Sequence, residues 1–400
     1  MAGAGAAGLM AAIFAASRGH RVIVLETTRD GGRKILISGG GRCNVLPRAI
    51  EPDRFVSDSP RPIVRRLLRA WPLEQQLAFF ERDLGIPLKM EADAGKYFPV
   101  SDRARDIRDR LMAKVDRAGA QFRFETRLTD LVRQDAGWAV HTTCGLIEAD
   151  AVIIATGGRS VPATGSDGAG FDLARRLGHT IHPTYPALTP LVCHPAPHVS
   201  LAGVSLDVRL RAKWQGKTIE SHGGFLFTHH GYSGPAVLDV SHVAVRSEDG
   251  TASIRVRWCE LDAAAWTKRL TEAAGQVLTA VAREIPTRLA ERLLAESEVP
   301  LDRRASSLTR VERLALIDRL TSYELRWTGD EGYKKAEVTG GGIALDEIDP
   351  STMESRVCPG LYLVGEILDV DGRIGGFNFQ WAWSTGFVAG RALGRRAARA

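Results

Sequence analysis

The stretch that decides the fold is residues 3–26, which read GAGAAGLMAAIFAASRGHRVIVLE. Gly3, Gly5 and Gly8 have the spacing G-x-G-x-x-G, and an uncharged helix-forming stretch follows them. The apolar run HRVIVL, rich in β-branched residues, then leads into Glu26. A loop, a helix, a buried parallel strand and an acid in this order are typical of a dinucleotide-binding unit. The sequence therefore predicts an α/β fold built on a Rossmann-like parallel sheet.

Each residue of this fingerprint has a predicted task at a diphosphate. Gly3 permits the tight turn, Gly5 lets the backbone approach the pyrophosphate, and Gly8 allows the helix to pack closely on the strand. The helix N-terminus presents unpaired N–H groups and the positive end of its dipole to the phosphates. The carboxylate of Glu26 can accept hydrogen bonds from both ribose hydroxyls and disfavours a 2′-phosphate. We therefore expect FAD or NAD, rather than NADP, at this site.

The strand that should precede the first glycine is missing, because the sequence begins at Met1 and Ala2. A parallel sheet without its central first strand would be badly compromised. We therefore expect a misassigned start or a truncated chain. If the chain is complete, dinucleotide binding at the fingerprint is in question.

The charge pattern does not favour a nucleic-acid partner. The 400 residues include 53 Lys and Arg against 47 Asp and Glu, and the net charge is +6. Arginine supplies 44 of the 53 basic residues, but no block of five or six like charges occurs, whereas a nucleic-acid arm is typically such a block. We interpret the charge as a solvated surface that is compatible with an anionic cofactor. No stretch approaches the ~20 apolar residues of a membrane span, so we expect no membrane partner.

The cysteine pattern indicates neither a metal site nor a disulfide framework. The five cysteines are odd in number, far apart and never arranged as CxxC, so they predict a reducing, cytoplasmic compartment. His194 and His198 have a spacing that suits a metal only on a helix. Pro195 and Pro197 lie between them and exclude that helix, so we expect no metal ion.

The composition changes twice along the chain. Residues 186–261 are rich in proline and histidine with short alternating runs, which predicts a β-rich region. Residues 262–333 have helical apolar spacing, and Thr309 with Glu312 forms a capping-box pattern. From residue 334 the glycine-rich character of the first part returns. We therefore expect residues 1–185 and 334–400 to form one discontinuous domain, with residues 186–333 as an insert.

Four motifs in order carry a resemblance to a known family. They are KILISGGGRCN (34–44), ATGGRSVPATGSDGAG (155–170), FTHHGYSGPAVLD (227–239) and LVGEILDVDGRIGGFNFQWAWSTG (363–386). Together they resemble the BaiN-like, aminoacetone-oxidase-like FAD-dependent oxidoreductases over nearly the whole chain. The resemblance implies a discontinuous Rossmann-like FAD-binding domain interrupted by an insert with a β-barrel-like part and a helical part.

The resemblance also implies which residues hold FAD. The fingerprint residues would bind the pyrophosphate and the adenosine ribose, and the basic pair after them would lie just beyond: Gly3, Gly5, Ala6, Ala7, Gly8, Glu26, Arg33 and Lys34. The second motif segment would approach the isoalloxazine and its linker by backbone contact: Ser38, Gly39, Gly40, Gly41, Arg42, Cys43 and Asn44. The turn after the AVIIA strand would pack against the adenosine side: Thr156, Gly157 and Gly158.

The C-terminal motif implies contacts with the rest of the flavin. Gly365 and Glu366 resemble the Gly-Asp pair that faces the ribityl chain in related flavoproteins. The acid here is Glu, and Asp369 and Asp371 lie nearby, so which carboxylate serves stays open. The start of the last helix would point at the N1–C2 edge of the flavin, where its dipole stabilises the negative charge of the reduced form; this start comprises Gly375, Gly376, Phe377 and Asn378.

The catalytic residues are less well indicated. His229 and Tyr232 are candidate proton donors at the substrate pocket, although the glycines beside them explain the motif equally well as a turn. Arg373 is a candidate for orienting an acidic substrate, with a surface role as the alternative. Cys43 could be a redox thiol, but no second cysteine is near it in sequence, which favours a small packed residue.

These observations predict a FAD-dependent oxidoreductase that transfers hydride through flavin N5 to or from a small organic substrate. Either NAD(P)H binds transiently as the electron donor, or the substrate reduces the flavin and O₂ reoxidises it, so oxidase and reductase both stay open. The alternatives are an NAD-dependent dehydrogenase, a flavoprotein acting on RNA and a redox sensor without turnover. The oligomeric state is not indicated by the sequence.

Overall fold

The computed structural model describes residues 1–92, 95–247 and 250–393. The chain divides into unit 1, Met1–Tyr185 with Glu337–Ala400, and unit 2, Pro186–Ala336. The end of the predicted 334–400 segment, residues 394–400, lies outside the described residues.

The α-helices among the described residues are α1 (Ala6–Ala16), α2 (Arg33–Ile37), α3 (Arg61–Ala70), α4 (Leu73–Ala78), α5 (Ala104–Arg117), α6 (Ala169–Arg176), α7 (Pro235–Arg246), α8 (Ala263–Glu272), α9 (Val277–Ala282), α10 (Thr287–Glu296), α11 (Arg310–Thr321) and α12 (Phe377–Ala392). The strands up to the boundary with unit 2 are β1 (Ile23–Leu25), β2 (Leu46–Pro47), β3 (Phe55–Val56), β4 (Leu88–Glu91), β5 (Lys96–Pro99), β6 (Gln121–Arg123), β7 (Leu128–Gln134), β8 (Gly137–Thr142), β9 (Gly145–Ala149), β10 (Val152–Ile154) and β11 (Ile181–Ala187). The later strands are β12 (Leu191–Val192), β13 (Ser205–Trp214), β14 (Lys217–Phe227), β15 (Gly231–Ser233), β16 (Ser253–Arg257), β17 (Tyr323–Glu324), β18 (Gly329–Asp330), β19 (Val338–Ile343), β20 (Leu361–Leu363) and β21 (Asp371–Gly372).

Unit 1 contains a parallel Rossmann-type sheet in which Ala2 lies at the position of the first strand. β1 pairs in parallel with β6, and β10 pairs in parallel with β20. Ala2 forms parallel bridges with Leu25 of β1 and Ile154 of β10, so it joins the two strand pairs. Its amide donates to the Ile153 carbonyl at 2.8 Å, and the Leu25 amide donates to the Met1 carbonyl at 2.8 Å. The predicted Rossmann-type α/β fold is confirmed.

The contact between α1 and α12 holds both ends of the chain together in unit 1. A Cβ atom at Gly386 would lie 2.4 Å from the Ala7 carbonyl oxygen, and one at Gly390 would lie 2.6 Å from the Ala11 oxygen. These distances are far below van der Waals contact, so only glycine lets the helices approach this closely. The start of α12 is thereby fixed relative to the fingerprint at the start of α1.

Unit 2 has its own sheet and its own core. Seven strands are hydrogen-bonded in the order β17-β16-β13-β14-β15-β12-β18, and each pair of neighbouring strands is antiparallel. The helical segment begins at α8, and the predicted capping box of α11 is confirmed: the Thr309 hydroxyl accepts from the Glu312 amide, and the Glu312 carboxylate accepts from the Thr309 amide. The segment interpreted as β-rich also contains a 12-residue helix, α7. No helix among the residues in the described ranges is long and apolar enough to cross a lipid bilayer.

Candidate functional site

The three fingerprint glycines differ in what surrounds them. Gly3 has a φ of +106°, and a Cβ atom there would lie 2.3 Å from the Ala155 carbonyl oxygen. A Cβ atom at Gly8 would lie 2.0 Å from the Gly3 oxygen, whereas one at Gly5 would meet nothing within 4 Å. Gly3 and Gly8 are therefore required by backbone packing. Gly5 instead leaves open space beside the first turn of α1.

The N-terminus of α1 lies beside that open space. α1 begins with Ala6 and Ala7, its N-cap is Gly5, and no side chain caps it. The first amides of a helix have no partner within the helix, and together with the helix dipole they attract an anion. This end of α1 can therefore bind a diphosphate through backbone groups alone.

Glu26 follows β1 and is held in place by backbone and hydroxyl donors. Its Oε2 accepts from the Ala4 amide at 2.9 Å, and its Oε1 accepts from the amide and the hydroxyl of Thr28, both at 2.8 Å. Each carboxylate oxygen has two lone pairs, so Oε2 keeps one for a further donor, whereas the two donors of Thr28 fill Oε1. The side chain is oriented before any ligand arrives, as a ribose-binding acid must be.

A partly buried ionic cluster brings together residues from four separate segments of the chain. Lys34 Nζ donates to Glu366 Oε2 at 2.6 Å and to Ser160 Oγ at 2.5 Å. Ser160 Oγ donates to Glu366 Oε1 at 2.7 Å, and the Thr339 amide donates to the same oxygen at 3.0 Å. Lys34 and Glu366 were predicted cofactor residues, but Ser160 and Thr339 were not singled out. Ser160 lies within the ATGGRS motif and Thr339 begins the TGGG stretch, so a search for polar residues beside glycine runs would have found both.

The glycine loop after α2 is open on one side and packed on the other. Gly39 and Gly40 have φ values of +54° and +66°, and a Cβ atom at Gly40 would meet nothing within 4 Å. Cys43 is fully buried, and burial raises the pKa of its thiol to about 12. Asn44 Oδ1 is buried without a hydrogen-bond partner among the described residues. The loop therefore offers backbone groups and one amide oxygen, whereas Cys43 stays a neutral thiol.

The two arginines near these motifs form ion pairs with carboxylates. Arg42 donates to Glu91 Oε1 at 2.7 Å, and its guanidinium lies 4.1 Å from the centre of the Phe98 ring. Arg33 donates to Asp30 Oδ1 at 2.6 Å. Both guanidinium groups are thus already paired with carboxylates, and the positions of Arg33 beyond the fingerprint and of the Arg42 backbone at the isoalloxazine stay predictions.

The turn after β10 is crowded and contains a second unsatisfied polar atom. A Cβ atom at Gly157 would lie 2.3 Å from Ser166 Oγ, and one at Gly158 would lie 2.3 Å from Thr339 Oγ1. Thr156 Oγ1 is buried and has no hydrogen-bond partner in the described part of the chain. Buried polar atoms are nearly always paired in folded proteins, so Thr156, like Asn44, indicates a place where a polar group is still to be supplied.

The three acids of the C-terminal motif have different surroundings. Asp369 is 1% exposed, and its Oδ2 accepts from the hydroxyls and amides of a short loop, namely Ser57 Oγ, Asp58 N, Ser59 N and Ser59 Oγ, at 2.7–3.1 Å. Burial raises the pKa of Asp369 even though these donors oppose it. The carboxylate of Asp371 accepts from the Tyr185 hydroxyl at 2.8 Å. Asp369 therefore anchors a loop, and Glu366 is the partly exposed acid of the three.

The start of α12 is shaped by glycines and by one asparagine. Gly375 and Gly376 have φ values of +139° and +87°, and no side chain caps the 16-residue helix. Asn378 fixes the preceding turn, because its Oδ1 accepts from the Gly372 amide at 2.8 Å and its Nδ2 donates to the Gly372 carbonyl at 2.6 Å. Phe377 packs edge-on against Phe55, with ring centres 5.6 Å apart. The uncapped amides of α12 form a second positive helix end in unit 1.

The catalytic candidates do not form a cluster with these groups within either unit. Tyr232 is 1% exposed in the core of unit 2, and its hydroxyl lies 3.0 Å from His198 Nδ1. Burial raises the pKa of Tyr232 further above its ordinary value, which differs from the expectation of an accessible proton donor. His229 is an exposed residue of unit 2. Arg373 lies in unit 1, where its amide donates to the Arg54 carbonyl at 2.9 Å.

The neighbours of Tyr232 form a hydrogen-bonded network inside unit 2. His198 Nε2 lies 3.0 Å from the Tyr323 hydroxyl and 3.4 Å from Glu296 Oε1, and Arg292 donates to the same carboxylate at 2.6 Å. Burial raises the pKa of Glu296, but the hydrogen bonds from His198 and Arg292 outweigh burial and lower it to about 2. The carboxylate therefore stays ionised inside the unit.

The groups in unit 1 fit FAD. A dinucleotide with a polar ring system needs positive helix ends, open space and polar partners. Unit 1 provides two uncapped helix starts, the oriented Glu26 and open space beside Gly5 and Gly40. It also provides the unsatisfied polar atoms of Asn44 and Thr156. Within the described ranges, no group of three or more His, Cys, Asp or Glu side chains is arranged to hold a metal ion.

Comparison with known proteins gives a family and a fold. Residues 1–392 match the family described as HI0933-like protein Rossmann domain. A ribosomal RNA dihydrouridine synthase of Escherichia coli K12 is 32% identical over 402 residues, covering 98% of this chain and 96% of that protein. A 3-dehydro-bile acid delta(4,6)-reductase of Clostridium scindens is 34% identical over 405 residues, covering 98% of each. The fold is similar to that of 3-ketosteroid-delta4-(5alpha)-dehydrogenase from Rhodococcus jostii RHA1, with a TM-score of 0.51 at 15% identity over 97% of this chain and 95% of that one.

Proposed function

Since the chain belongs to the HI0933-like family of FAD-binding Rossmann proteins, we propose that it reduces a carbon–carbon double bond conjugated to a carbonyl group. It is a FAD-dependent oxidoreductase. The two relatives described above have names that refer to a dihydro product and to a reductase, and both names describe the addition of hydrogen to an unsaturated substrate. This shared chemistry favours a reductase over an oxidase for the present chain.

The observation that carries the proposal is the uncapped N-terminus of α12. Its first amides and its dipole create positive potential at the start of the helix, where Gly375 and Gly376 lead into α12 and no side chain caps it. Such a helix end stabilises an anion next to it. A flavin is more negative when reduced, so this helix end supports the reduced, hydride-donating form.

The remaining residues would bind and orient the cofactor. The amides at Gly5 and the start of α1 would take the pyrophosphate, and Glu26 Oε2 would accept from a ribose hydroxyl. Glu366, paired with Lys34, would face the ribityl chain, and Asn44 and Thr156 would each gain the hydrogen-bond partner that they lack. FAD supplies hydride transfer through its N5 position. Unit 1 would thus be the FAD domain, and unit 2 the inserted part.

The substrate of the proposed reaction is a small organic molecule with an electron-poor double bond, and NAD(P)H is the proposed transient electron donor. We place the reaction in the cytoplasm, where the five free cysteines would stay reduced. A uracil base in RNA contains the same kind of double bond, so an RNA substrate is the second candidate. Four exposed arginines that line one cleft of unit 1 favour this candidate, namely Arg65, Arg66, Arg69 and Arg391.

Anaerobic reduction of the purified protein tests the proposal. We expect yellow protein with flavin absorbance near ~450 nm, bleaching by NADH or NADPH, and recovery of the absorbance when an α,β-unsaturated ketone is added without O₂. A colourless protein that cannot be reconstituted with FAD would contradict the cofactor assignment and favour an NAD-dependent dehydrogenase. Reoxidation by O₂ alone, with no response to any enone, would instead identify an oxidase or a redox sensor.

A further inference from the structure

We propose that the side chain of Gln380, the fourth residue of α12, binds the pyrimidine edge of the isoalloxazine and accepts a hydrogen bond from its N3–H group. Gln380 is 0% exposed, and neither its Oε1 nor its Nε2 has a hydrogen-bond partner among the described residues. This role rests on the proposed function, which places the flavin at the start of α12. It adds a side chain that recognises one particular edge of the ring system.

The buried amide of Gln380 is costly as it stands. Folding removes water from its donor and its acceptor, and no protein group replaces that water. Gln76 of α4 is equally buried, but its Nε2 donates to the Trp71 carbonyl at 2.6 Å, so only its Oε1 lacks a partner. Buried polar groups in folded proteins nearly always have partners. Gln380 therefore indicates a place for a ligand group that both donates and accepts.

The side chain of Gln380 is directed back towards the start of α12. Side chains on a helix lean towards its N-terminus and lie over the preceding turn. That turn follows Gly376, which is about 6 Å from Gln380 along the helix axis, and no side chain caps the helix. The unpaired amide is thus directed towards the same uncapped N–H groups that attract negative charge.

The segment after the glycine loop contacts α12 on both sides of Gln380. A Cβ atom at Gly376 would lie 2.8 Å from the carbonyl carbon of Leu46. Trp383 Nε1 donates to the Val45 carbonyl at 2.9 Å. These contacts lie about one helical turn before and one turn after Gln380. The glycine loop and the start of α12, both predicted to contact the isoalloxazine, therefore meet beside this amide.

The pyrimidine edge of the isoalloxazine matches an amide with two unpaired atoms. This edge carries the O2 acceptor, the N3–H donor and the O4 acceptor side by side. Gln380 Oε1 would accept from N3–H while Nε2 donates to a neighbouring oxygen, as glutamine does with the paired donor and acceptor of a base. Asn44 Oδ1 needs only a donor, which a ribityl hydroxyl also supplies. Hydrogen bonds to the flavin ring are one way in which a protein adjusts its electronic properties.

Titration of the flavin-free, full-length protein with FAD and with N3-methyl-FAD, which has no N3–H group, tests this role. The variant is Gln380→Met, because methionine is unbranched, similar in length and only a weak hydrogen-bond acceptor. We expect the wild type to bind FAD at least about tenfold more tightly than N3-methyl-FAD. Gln380→Met should lose at least about tenfold in FAD affinity and most of this preference. Its flavin-free form should have a Tm no lower than that of the wild type, because the change removes two unpaired buried atoms.

Gln76→Met is the matched control, since it replaces a buried amide of the same unit that is hydrogen-bonded to the protein. It should lower the Tm and leave the FAD affinity and the preference over N3-methyl-FAD as in the wild type.

Three outcomes would overturn the assignment of Gln380. They are equal affinities of the wild type for the two flavins, an unchanged preference in Gln380→Met, and a lower Tm of Gln380→Met with wild-type FAD affinity. The last result would identify Gln380 as a structural residue that is paired with a buried water molecule. These titrations need no turnover, so a protein that binds FAD through Gln380 but reduces no enone would contradict the proposed reaction alone.

Discussion

Replacing the fingerprint glycines by alanine, one at a time, should separate folding from cofactor binding. At Gly8 the new methyl carbon would lie 2.0 Å from the Gly3 oxygen and 3.2 Å from the Ala155 methyl. Overpacking of this kind typically costs about 1–3 kcal/mol. Since 1 kcal/mol shifts Tm by roughly 2–4 °C for a domain of this size, Gly8→Ala should lower the Tm of the flavin-free protein by about 2–12 °C.

Gly5→Ala is the matched control for folding, because a Cβ atom at Gly5 meets nothing within 4 Å and its φ of −82° suits alanine. Losing glycine at an N-cap costs about 0.5 kcal/mol, and the lower entropy of the unfolded alanine chain returns about 0.4–1 kcal/mol. We therefore expect a Tm within about 2 °C of the wild type. The methyl group would nevertheless occupy the space through which the pyrophosphate approaches, so FAD affinity should fall at least about tenfold, or ~1.4 kcal/mol.

The measurements are thermal unfolding of the flavin-free proteins by circular dichroism and titration of each with FAD by fluorescence quenching. We expect Gly8→Ala to lose thermal stability, and Gly5→Ala to lose FAD affinity while keeping its thermal stability. Wild-type FAD affinity in Gly5→Ala would refute the assignment of the pyrophosphate to the start of α1. Wild-type stability in Gly8→Ala would refute the argument from backbone contact.

Three further predictions concern single side chains. Hydrogen bonds from His198 and its neighbours lower the pKa of Glu296 to about 2. This carboxylate therefore stabilises the fold above pH ~4.5, and its contribution of up to about 3 kcal/mol is lost as the pH falls towards 2. Urea unfolding at pH 6 and pH 3 should show a smaller effect of pH in Glu296→Gln than in the wild type. Burial raises the pKa of Cys43 to about 12, so iodoacetamide at pH 8 should not modify Cys43 in the folded protein, whereas the exposed Cys144 should react. Mass spectrometry detects the modified residues. Labelling of Cys43 before Cys144 would contradict the burial of Cys43. Thr309→Ala removes a capping box and should cost about 0.5–2 kcal/mol in denaturant unfolding, and an unchanged midpoint would show that tertiary contacts alone hold the start of α11.

Features that depend on neighbouring residues were predictable from the sequence. The Thr309 capping box needs only a residue and its third neighbour, and it was predicted and is present. The conformational demands on Gly3 and Gly8 also follow from a short motif, and the contacts of both positions with adjacent backbone agree with it. The position of the first strand is the limit of this reasoning. Ala2 forms bridges with both β1 and β10, and no local sequence pattern reveals such long-range pairings.

The cluster of Lys34, Ser160 and Glu366 marks a second limit. Each residue lies in or next to a glycine-rich motif, so the motifs indicated the region. Their mutual hydrogen bonds join positions up to 332 residues apart in sequence. They come together because β10 pairs with β20 in the folded sheet and α2 lies beside the ends of these strands. The roles of the acids were open for the same reason, since Asp369 and Glu366 differ in their neighbours rather than in their local sequence.

By itself, the sequence determined the Rossmann-type fold and the family, because both depend on the order and spacing of short motifs along the chain. The tertiary structure decided where charge accumulates. Counting like charges in sequence blocks indicated a dispersed, solvated surface, yet α3 and the far end of α12 place Arg65, Arg66, Arg69 and Arg391 in one cleft. Electrostatic potential depends on distance through space, and residues more than 300 positions apart become neighbours only when the helices pack.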